Sequence, residues 1–226
     1  MNKCVSPLLL DILSAIMEDS IFNPFRLVGG TNLALQYKHR ESVDIDLFTD
    51  AEYGSLNFKD YENWFKAHYP YVESADTTSK IGMGRMYYVG YNKDEAVKVD
   101  LIYESEPFLF PEVPIHNVRM ADSKEIGVMK LDAIFNGGRK KDFWDLHYLL
   151  VDKELALAEL IALHKQRFPY QHEHSLILSQ LCNFEKADDE PDPKCELGKF
   201  WDSIKLDILD MIADLEEIDS QQNKCQ

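Results

Sequence analysis

Apolar and polar residues follow helical and strand periods through the first quarter of the chain. A helix is predicted to begin at Ser6, a residue type that caps helices, with Pro7 in its first turn. Its apolar positions recur at helical spacing on one face: Leu9, Ile12, Leu13 and Ile16. Three further elements are predicted before residue 50: a strand over 25–28, a helix over 31–37 and a strand of period two over 42–48.

The next segment predicts a helix followed by a group of strands. Tyr61, Trp64 and Phe65 recur at helical spacing within residues 58–68. Three strand patterns then follow between residues 71 and 103: YVESAD, GRMYYVGY and EAVKVDLIY. Because glycine and polar turn residues separate them, we expect an antiparallel or mixed sheet.

The pattern becomes helical after residue 121. Asp122 and Glu125 form a candidate capping box, and helices are predicted over about 123–136, 141–151 and 153–167. Residues 186–193 are predicted to be an exposed linker before a long amphipathic helix over 200–218. The predicted fold class is therefore α+β: a small mixed or antiparallel sheet with flanking helices in residues 1–121, then an all-helical half in residues 122–226.

Composition is that of a folded protein without a membrane span. The 226 residues are 45% hydrophobic and 28% charged. Asp11 interrupts the apolar run near the amino terminus, no small-residue cleavage site follows, and we interpret the run as a helix rather than a signal peptide. None of the four cysteines forms a CxxC pair, so we expect reduced thiols and a cytoplasmic protein.

The net charge of −16 argues against a protein that coats nucleic acid by bulk electrostatics. Two short basic clusters, Lys38–Arg40 and Arg139–Lys141, leave a local contact open. The other interpretation of each cluster is an ordinary solvated surface.

A pair of aspartates carries the first chemical signal. Asp44 and Asp46 are two residues apart in a predicted strand, so both side chains point to the same face. Two neighbouring carboxylates repel each other unless a cation lies between them. Oxygen ligands of this kind suit Mg²⁺ or Mn²⁺, which bind through a few carboxylates together with substrate phosphates.

The segment Gly29-Gly30-Thr31 supplies a candidate phosphate site. Glycines allow backbone N–H groups to approach a phosphate, and a helix starting at Thr31 would present its positive end. The Thr31 hydroxyl could donate to a phosphate oxygen or cap the helix. A glycine pair alone is more often only a turn, and the strand–Gly-Gly–helix–strand order is what makes the pattern informative.

A third carboxylate, Asp100, lies in the alternating run Lys98-Val-Asp-Leu-Ile102. A neighbouring strand would place Asp100 beside Asp44 and Asp46, where it could share a metal or take a proton from an attacking hydroxyl. The alternative is an acid at the end of a strand.

Three blocks of the sequence together resemble a known family. GGTNLALQYKHRESVDIDLF, KVDLIY and IGVMKLDAIFNGGRKKDFWDLHYLL are similar to blocks of the nucleotidyltransferase toxins of the AbiEii/AbiGii family, within the polymerase-β-like nucleotidyltransferase fold. The resemblance covers roughly residues 25–150, about half of the chain.

The resemblance implies a set of site residues. Gly29, Gly30 and Thr31 would hold the triphosphate, and Asp44, Asp46 and Asp100 would be catalytic acids that bind Mg²⁺ or Mn²⁺. Lys130 would reach the phosphates, and Asp142 would belong to the last essential block. Before the resemblance is counted, Asp142 and Asp145 could equally serve ordinary helix capping.

The sequence departs from the family pattern at one position. An arginine usually follows the lysine by seven residues, but that position is Gly137, and the nearest arginine is Arg139. Two alternatives follow: Arg139 takes over the nucleotide contact through a shifted turn, or the contact is absent.

The resulting hypothesis is a metal-dependent transfer of a nucleoside monophosphate from an NTP to an acceptor hydroxyl. The resemblance implies a toxin of a toxin–antitoxin or abortive-infection system, with an antitoxin partner and an RNA acceptor such as a tRNA end. One alternative is a catalytically inactive nucleotide-binding module, which the missing arginine favours and the three acids oppose. Another keeps the chemistry but transfers to a small molecule or a protein side chain.

Overall fold

The computed structural model describes residues 4–76, 83–169, 174–195 and 197–224. The chain divides into two compact units, Met1–Asp122 and Ser123–Gln226. The predicted fold class is confirmed, because a mixed sheet with helices is followed by helices alone.

The first unit contains three helices and the strands of the sheet. The helices are α1 (Pro7–Glu18), α2 (Gly29–Tyr37) and α3 (Phe58–His68), with a 3-10 turn at Ser20–Phe22. The strands are β1 (Arg26–Val28), β2 (Asp44–Thr49), β3 (Tyr71–Asp76), β4 (Gly84–Asn92), β5 (Glu95–Tyr103), β6 (Val113–Ile115) and β7 (Val118–Met120).

Strands far apart in the chain are neighbours in the sheet. Among the described residues, the sheet has seven strands in the order β3-β4-β5-β2-β1-β7-β6. β2 runs parallel to β5 and β1 runs parallel to β7, whereas the remaining neighbours are antiparallel. β2 and β5 are therefore neighbours in the sheet, although α3, β3 and β4 separate them in the chain.

Burial of apolar residues determines which face of β2 and β5 is covered. Ile45, Leu47, Val99 and Leu101 are all 0% exposed and belong to one apolar core with residues of α1 and α3. The alternate positions of these strands, which include the aspartates, are only partly buried. The period of two in the sequence thus separates an apolar face from a polar one.

The prediction for α1 is confirmed in detail. The Ser6 hydroxyl accepts a hydrogen bond from the Leu9 backbone N–H at 3.1 Å, and Pro7 occupies the first turn. The residues of its predicted apolar face are buried: Leu9, Ile12, Leu13 and Ile16.

Two features of the first unit differ from the sequence predictions. Helix α2 begins at Gly29 rather than Thr31, because Gly29 adopts a φ of +70° and turns the chain directly from β1 into the helix. The β6–β7 hairpin was not predicted. Its strands have three residues each and its turn residues His116 and Asn117 have φ values of 49° and 64°, as in a two-residue hairpin turn.

The second unit is helical throughout its described part. It contains α4 (Ser123–Phe135), α5 (Lys140–His147), a π-helical turn (Tyr148–Asp152), α6 (Leu157–Arg167), α7 (His174–Leu181), α8 (Glu185–Asp188) and α9 (Trp201–Lys224). The predicted helix over 141–151 is thus divided into α5 and the π-helical turn, and α7 was not predicted.

The linker prediction for residues 186–193 was partly wrong. Residues 185–188 form α8, and Ala187 is only 1% exposed. Asp188 accepts a hydrogen bond from Trp201 Nε1 at 2.6 Å and one from Lys205 at 2.9 Å. Asp188 therefore attaches the segment to α9, which a composition-based prediction could not anticipate.

No helix in the described part of the chain is long and apolar enough to span a bilayer. Cys182 is exposed, Cys4 and Cys195 are partly buried, and Cys225 lies outside the described residues.

Arg119 on β7 forms hydrogen bonds with backbone carbonyls at the end of α1 and in the segment that follows it. Its guanidinium donates to the carbonyl oxygens of Phe25 at 3.1 Å, Met17 at 3.1 Å and Phe22 at 3.0 Å. We expect Arg119→Met to lower the free energy of unfolding by about 2–3 kcal/mol, because three carbonyls lose a charged donor. Urea unfolding followed by circular dichroism measures this loss.

Lys124→Met is the control for the Arg119 variant. Lys124 forms a half-exposed ion pair with Glu159, and such a pair contributes at most about 1 kcal/mol. Equal losses for both variants would contradict the role given to Arg119.

Candidate active site

The register of β2 against β5 brings the three predicted acids onto one face of the sheet. Asp46 pairs with Asp100, and Asp44 pairs with Lys98. Residues paired across neighbouring strands point to the same side, so Asp44, Asp46 and Asp100 share the polar face. This arrangement agrees with the expectation that Asp100 lies beside the other two.

Lys98 is a fourth charged residue on this face, and sequence reasoning missed it. Its ammonium donates to Asp100 Oδ2. Burial alone lowers the pKa of Lys98, but the hydrogen bond to Asp100 and the charges of Asp100, Asp46 and Asp44 outweigh it and raise the pKa. The signal was available, since Lys98 and Asp100 are two residues apart in an alternating strand.

Asp100 has one carboxylate oxygen that fits a cation. Its Oδ1 is buried and accepts no hydrogen bond from any described residue. A buried carboxylate oxygen without a donor costs free energy, and a divalent ion would remove that cost.

The residues present fit Mg²⁺ or Mn²⁺ as part of a ligand set. Among the described residues, no group of three or more His, Cys, Asp and Glu side chains is arranged to hold a metal ion. Mg²⁺ in proteins usually takes one or two carboxylates together with water and substrate phosphate oxygens. Asp46 and Asp100, paired across β2 and β5, could supply two such carboxylates, and a triphosphate would supply further oxygens.

Two side chains lie close to the backbone of the glycines at the start of α2. A Cβ on Gly29 would lie 2.6 Å from Asp46 Oδ2, and a Cβ on Gly30 would lie 2.1 Å from Arg40 Nη2. The first turn of α2 therefore lies directly against the Asp46 carboxylate. Val28, which precedes the helix, gives no side-chain cap to the N–H groups of this turn.

The Thr31 hydroxyl has neither of the two expected roles, which were donation to a phosphate and capping of the helix. Its side chain is fully buried, and its hydroxyl donates to the Asp44 carbonyl oxygen and lies 2.8 Å from the Ser42 hydroxyl. A carbonyl can only accept, so the Ser42 hydroxyl is the donor to Thr31. Thr31 thus joins α2 to the start of β2 instead of capping the helix.

The basic cluster at Lys38–Arg40 is not the solvated surface that the sequence suggested. His39 is 0% exposed and Arg40 is 4% exposed, so only Lys38 is exposed. Arg40 Nη1 donates to the Glu41 carbonyl oxygen at 2.7 Å, and the guanidinium packs on Gly30. The cluster is therefore local structure around α2.

In the second unit, Lys130 and Asp142 form a buried ionic cluster. Lys130 Nζ lies 2.7 Å from Asp142 Oδ1 and 2.8 Å from Asp145 Oδ2, and all three side chains are at most 8% exposed. Asp142 Oδ2 also accepts from the Arg139 backbone N–H at 3.0 Å and Nε at 3.3 Å. Burial alone would raise the pKa of Asp142, but Lys130 and Arg139 lower it to about 2.

The backbone conformation at position 137 explains why a glycine lies where the family pattern has an arginine. Gly137 has a φ of +86° beyond the end of α4, a conformation in which an arginine would be strained. Arg139 occupies the N-cap position of α5, where its backbone N–H donates to Asp142, and its side chain is 52% exposed. Lys140, from the second basic cluster, is buried and lies 3.0 Å from Asp192, so it is not a surface group.

The predicted site residues thus fall into two groups. Gly29, Asp44, Asp46 and Asp100 come together in the first unit, where Gly30 and Thr31 hold α2 in place. Lys130, Arg139 and Asp142 come together in the second unit.

Comparison with solved structures gives the class of fold. JHP933 of Helicobacter pylori matches with a TM-score of 0.55 and 20% identity, over 98% of this chain and 99% of that one. MenT4, a nucleotidyltransferase toxin of Mycobacterium tuberculosis H37Rv, matches with a TM-score of 0.56 and 14% identity, over 91% of this chain and 83% of that one. The fold is therefore one that a nucleotidyltransferase toxin adopts.

Sequence comparison gives the family. The model of the nucleotidyl transferase AbiEii toxins of type IV toxin–antitoxin systems matches residues 11–221, so the chain belongs to this family. An uncharacterized protein of Aquifex aeolicus (strain VF5) is 28% identical over 205 residues, which cover 86% of this chain and 89% of that protein. The resemblance drawn from the three sequence blocks is confirmed, and the family supports transferase activity.

The close approach of Gly29 to Asp46 predicts an unusually large cost for a methyl group there. We expect Gly29→Ala to lower the free energy of unfolding by about 3 kcal/mol, because a positive φ and a contact with a carboxylate are both penalised. Differential scanning calorimetry measures the change.

Gly54→Ala is the matched control for Gly29→Ala. Gly54 has a φ of +81°, but no described atom lies within 4 Å of a Cβ built there. It should lose only about 1–2 kcal/mol through backbone strain. If the two variants lost the same amount, the contact between α2 and Asp46 would not be the constraint described.

The low pKa of Asp142 predicts a dependence of stability on pH. A carboxylate with a folded-state pKa of about 2 and an ordinary value of 3.8 stabilises the fold above pH 4 and loses this contribution as the pH falls toward 2. We expect the stability difference between the wild type and Asp142→Asn to shrink by about 2 kcal/mol between pH 5 and pH 2.

Denaturant titrations at several pH values measure this difference for Asp142. Asp189→Asn, a change at an exposed carboxylate, should give a difference that stays constant over the same range. A constant difference for Asp142→Asn would contradict the ion pair with Lys130.

Proposed function

We propose that this chain is a divalent-metal-dependent nucleotidyltransferase that moves a nucleoside monophosphate from an NTP to an acceptor hydroxyl. The observation that carries the proposal is the polar face of β2 and β5. Asp46 pairs there with Asp100, and the first turn of α2 lies against the Asp46 carboxylate. Carboxylates for a metal and N–H groups for phosphates thus lie side by side.

In this proposal the residues of the first unit bind and orient the reactants. The uncapped N–H groups of Gly29 and Gly30 donate hydrogen bonds to phosphate oxygens. Thr31 contributes only its backbone, because its hydroxyl donates to the Asp44 carbonyl oxygen. Asp44, Asp46 and Asp100 would hold Mg²⁺ or Mn²⁺, which would offset the charge that develops on the phosphoryl oxygens.

The reaction proceeds by displacement at the α-phosphorus. The acceptor oxygen forms a bond to this phosphorus, the bond to the bridging oxygen of the β-phosphate breaks, and pyrophosphate leaves. The acceptor loses its proton to a carboxylate, for which Asp100 is our candidate.

In the second unit we propose a nucleotide contact through Arg139. Its guanidinium is half-exposed, and the ion pair with Asp142 orients it. Lys130 is held between Asp142 and Asp145, so its contribution is to fix Asp142 rather than to present a free charge. The family role of Asp142 is then that of a positioning residue.

The acceptor and the partner are also proposals. Membership of a type IV toxin–antitoxin family supports an antitoxin partner, and we propose an RNA acceptor and action in the cytoplasm. The net charge of −16 and the burial of His39, Arg40 and Lys140 favour a narrow contact with RNA over binding along its length.

The test is incubation of the purified protein with each α-³²P-labelled NTP, Mg²⁺ and total RNA. We expect Asp46→Asn to lower label transfer at least about 100-fold while changing the free energy of unfolding by less than about 1 kcal/mol. Asp94→Asn, an exposed change in the β4–β5 turn with the same loss of charge, should keep wild-type transfer.

Each outcome of this assay has a defined meaning. Label in RNA that requires Asp46 supports the whole proposal, whereas label in protein or a small molecule supports the chemistry and overturns the RNA acceptor. Transfer that persists in Asp46→Asn contradicts the site. An absence of label from every acceptor, with the antitoxin partner removed, favours the inactive nucleotide-binding module, for which Gly137 in place of an arginine is the supporting observation.

A further inference from the structure

Lys98 is placed among the three aspartates by the same strand register that brings them together. It pairs with Asp44 across β2 and β5, and it precedes Asp100 by two residues on the same face. Its ammonium donates to Asp100 Oδ2, while Asp100 Oδ1 stays buried without a donor among the described residues. Lys98 therefore binds only one of the two carboxylate oxygens of Asp100.

Lys98 lies on the same face as all three acids. It pairs with Asp44 across the strands and donates to Asp100, which itself pairs with Asp46. Its side chain is 27% exposed, so the ammonium has a route to solvent that a fully buried lysine lacks. This differs from Lys130, which is 8% exposed and fixed between two acids.

Positive charge near the three carboxylates stabilises their arrangement on one face, with or without a metal. Like charges that lie close together raise the free energy of the fold unless a cation lies among them. A lysine within the cluster supplies one positive charge permanently, and a divalent ion would compete with it for Asp100.

We propose that Lys98 is the resident cation of the aspartate cluster, and that a divalent ion displaces its ammonium from Asp100 when it binds. This inference rests on the proposed function, since it takes the three aspartates as the metal ligands. Lys98 then weakens binding of the bare ion and preserves the arrangement of the acids in its absence. A triphosphate supplies the extra negative charge that favours loading, so metal and nucleotide bind together.

The first test measures Mn²⁺ binding to the full chain without nucleotide, by electron paramagnetic resonance of the free ion. We expect Lys98→Met to bind Mn²⁺ at least about tenfold more tightly than the wild type, because the competing charge is gone. Lys98→Arg, which keeps the charge, should stay within about threefold of the wild type.

Lys93→Met is the matched control for net charge. Lys93 is exposed in the β4–β5 turn, so its replacement changes the net charge equally at a distance from the cluster. Its Mn²⁺ affinity should match that of the wild type within about twofold. Equal or weaker binding in Lys98→Met than in the wild type would overturn the proposal, because Lys98 would then only order the ligands.

A measurement on the wild-type protein does not depend on any variant folding. Reductive methylation of lysines, followed by mass spectrometry, reports how freely each ammonium reacts. We expect Mn²⁺ to increase the labelling rate of Lys98 at least about threefold and to leave that of Lys93 unchanged. An unchanged or slower rate at Lys98 would overturn the displacement.

The Asp46→Asn variant separates failure of this inference from failure of the proposed function. If Mn²⁺ binding requires Asp46 but is unchanged in Lys98→Met, only the role proposed for Lys98 is contradicted. If Mn²⁺ binds the Asp46→Asn protein as well as it binds the wild type, the aspartates are not the metal ligands, and both proposals fall.

Discussion

The pairing of β2 with β5 is the constraint on which the rest of the first unit depends. Ile45, Leu47, Val99 and Leu101 are completely buried on one side of these strands. A shift of one residue would move those side chains to the polar face and the charged residues into the core. Burial of the apolar face therefore fixes the register, and the register forces the aspartates together in spite of their mutual repulsion.

Helix α2 depends on the same arrangement. Gly29 can approach Asp46 because it has no Cβ, and Gly30 leaves room for the Arg40 guanidinium. The Thr31 hydroxyl then joins the helix to the Asp44 carbonyl at the beginning of β2. The start of α2 and the polar face of β2 are thus one local structure.

The ion pairs discussed above are partly exposed in the first unit and buried in the second. In the first unit, the acids of β2 and β5 remain partly exposed, and Lys98, which is itself 27% exposed, forms an ion pair with Asp100. In the second unit the ion pairs are buried: Lys130 contacts two acids, and Arg167 contacts Glu125 with both side chains 0% exposed. Separating a buried pair leaves an uncompensated charge, so these pairs fix the helices in one arrangement.

Local patterns in the sequence were sufficient for the fold class, for α1 and for the identity of the family. Alternation in SVDIDLF placed both aspartates on one face, since side chains in a strand alternate whatever the partner strand is. Tertiary structure alone decided that β5 lies beside β2, that Lys98 enters the cluster, and that His39, Arg40, Lys130 and Lys140 are buried. Burial and long-range pairing depend on the summed packing of distant segments, and no local window of sequence contains that sum.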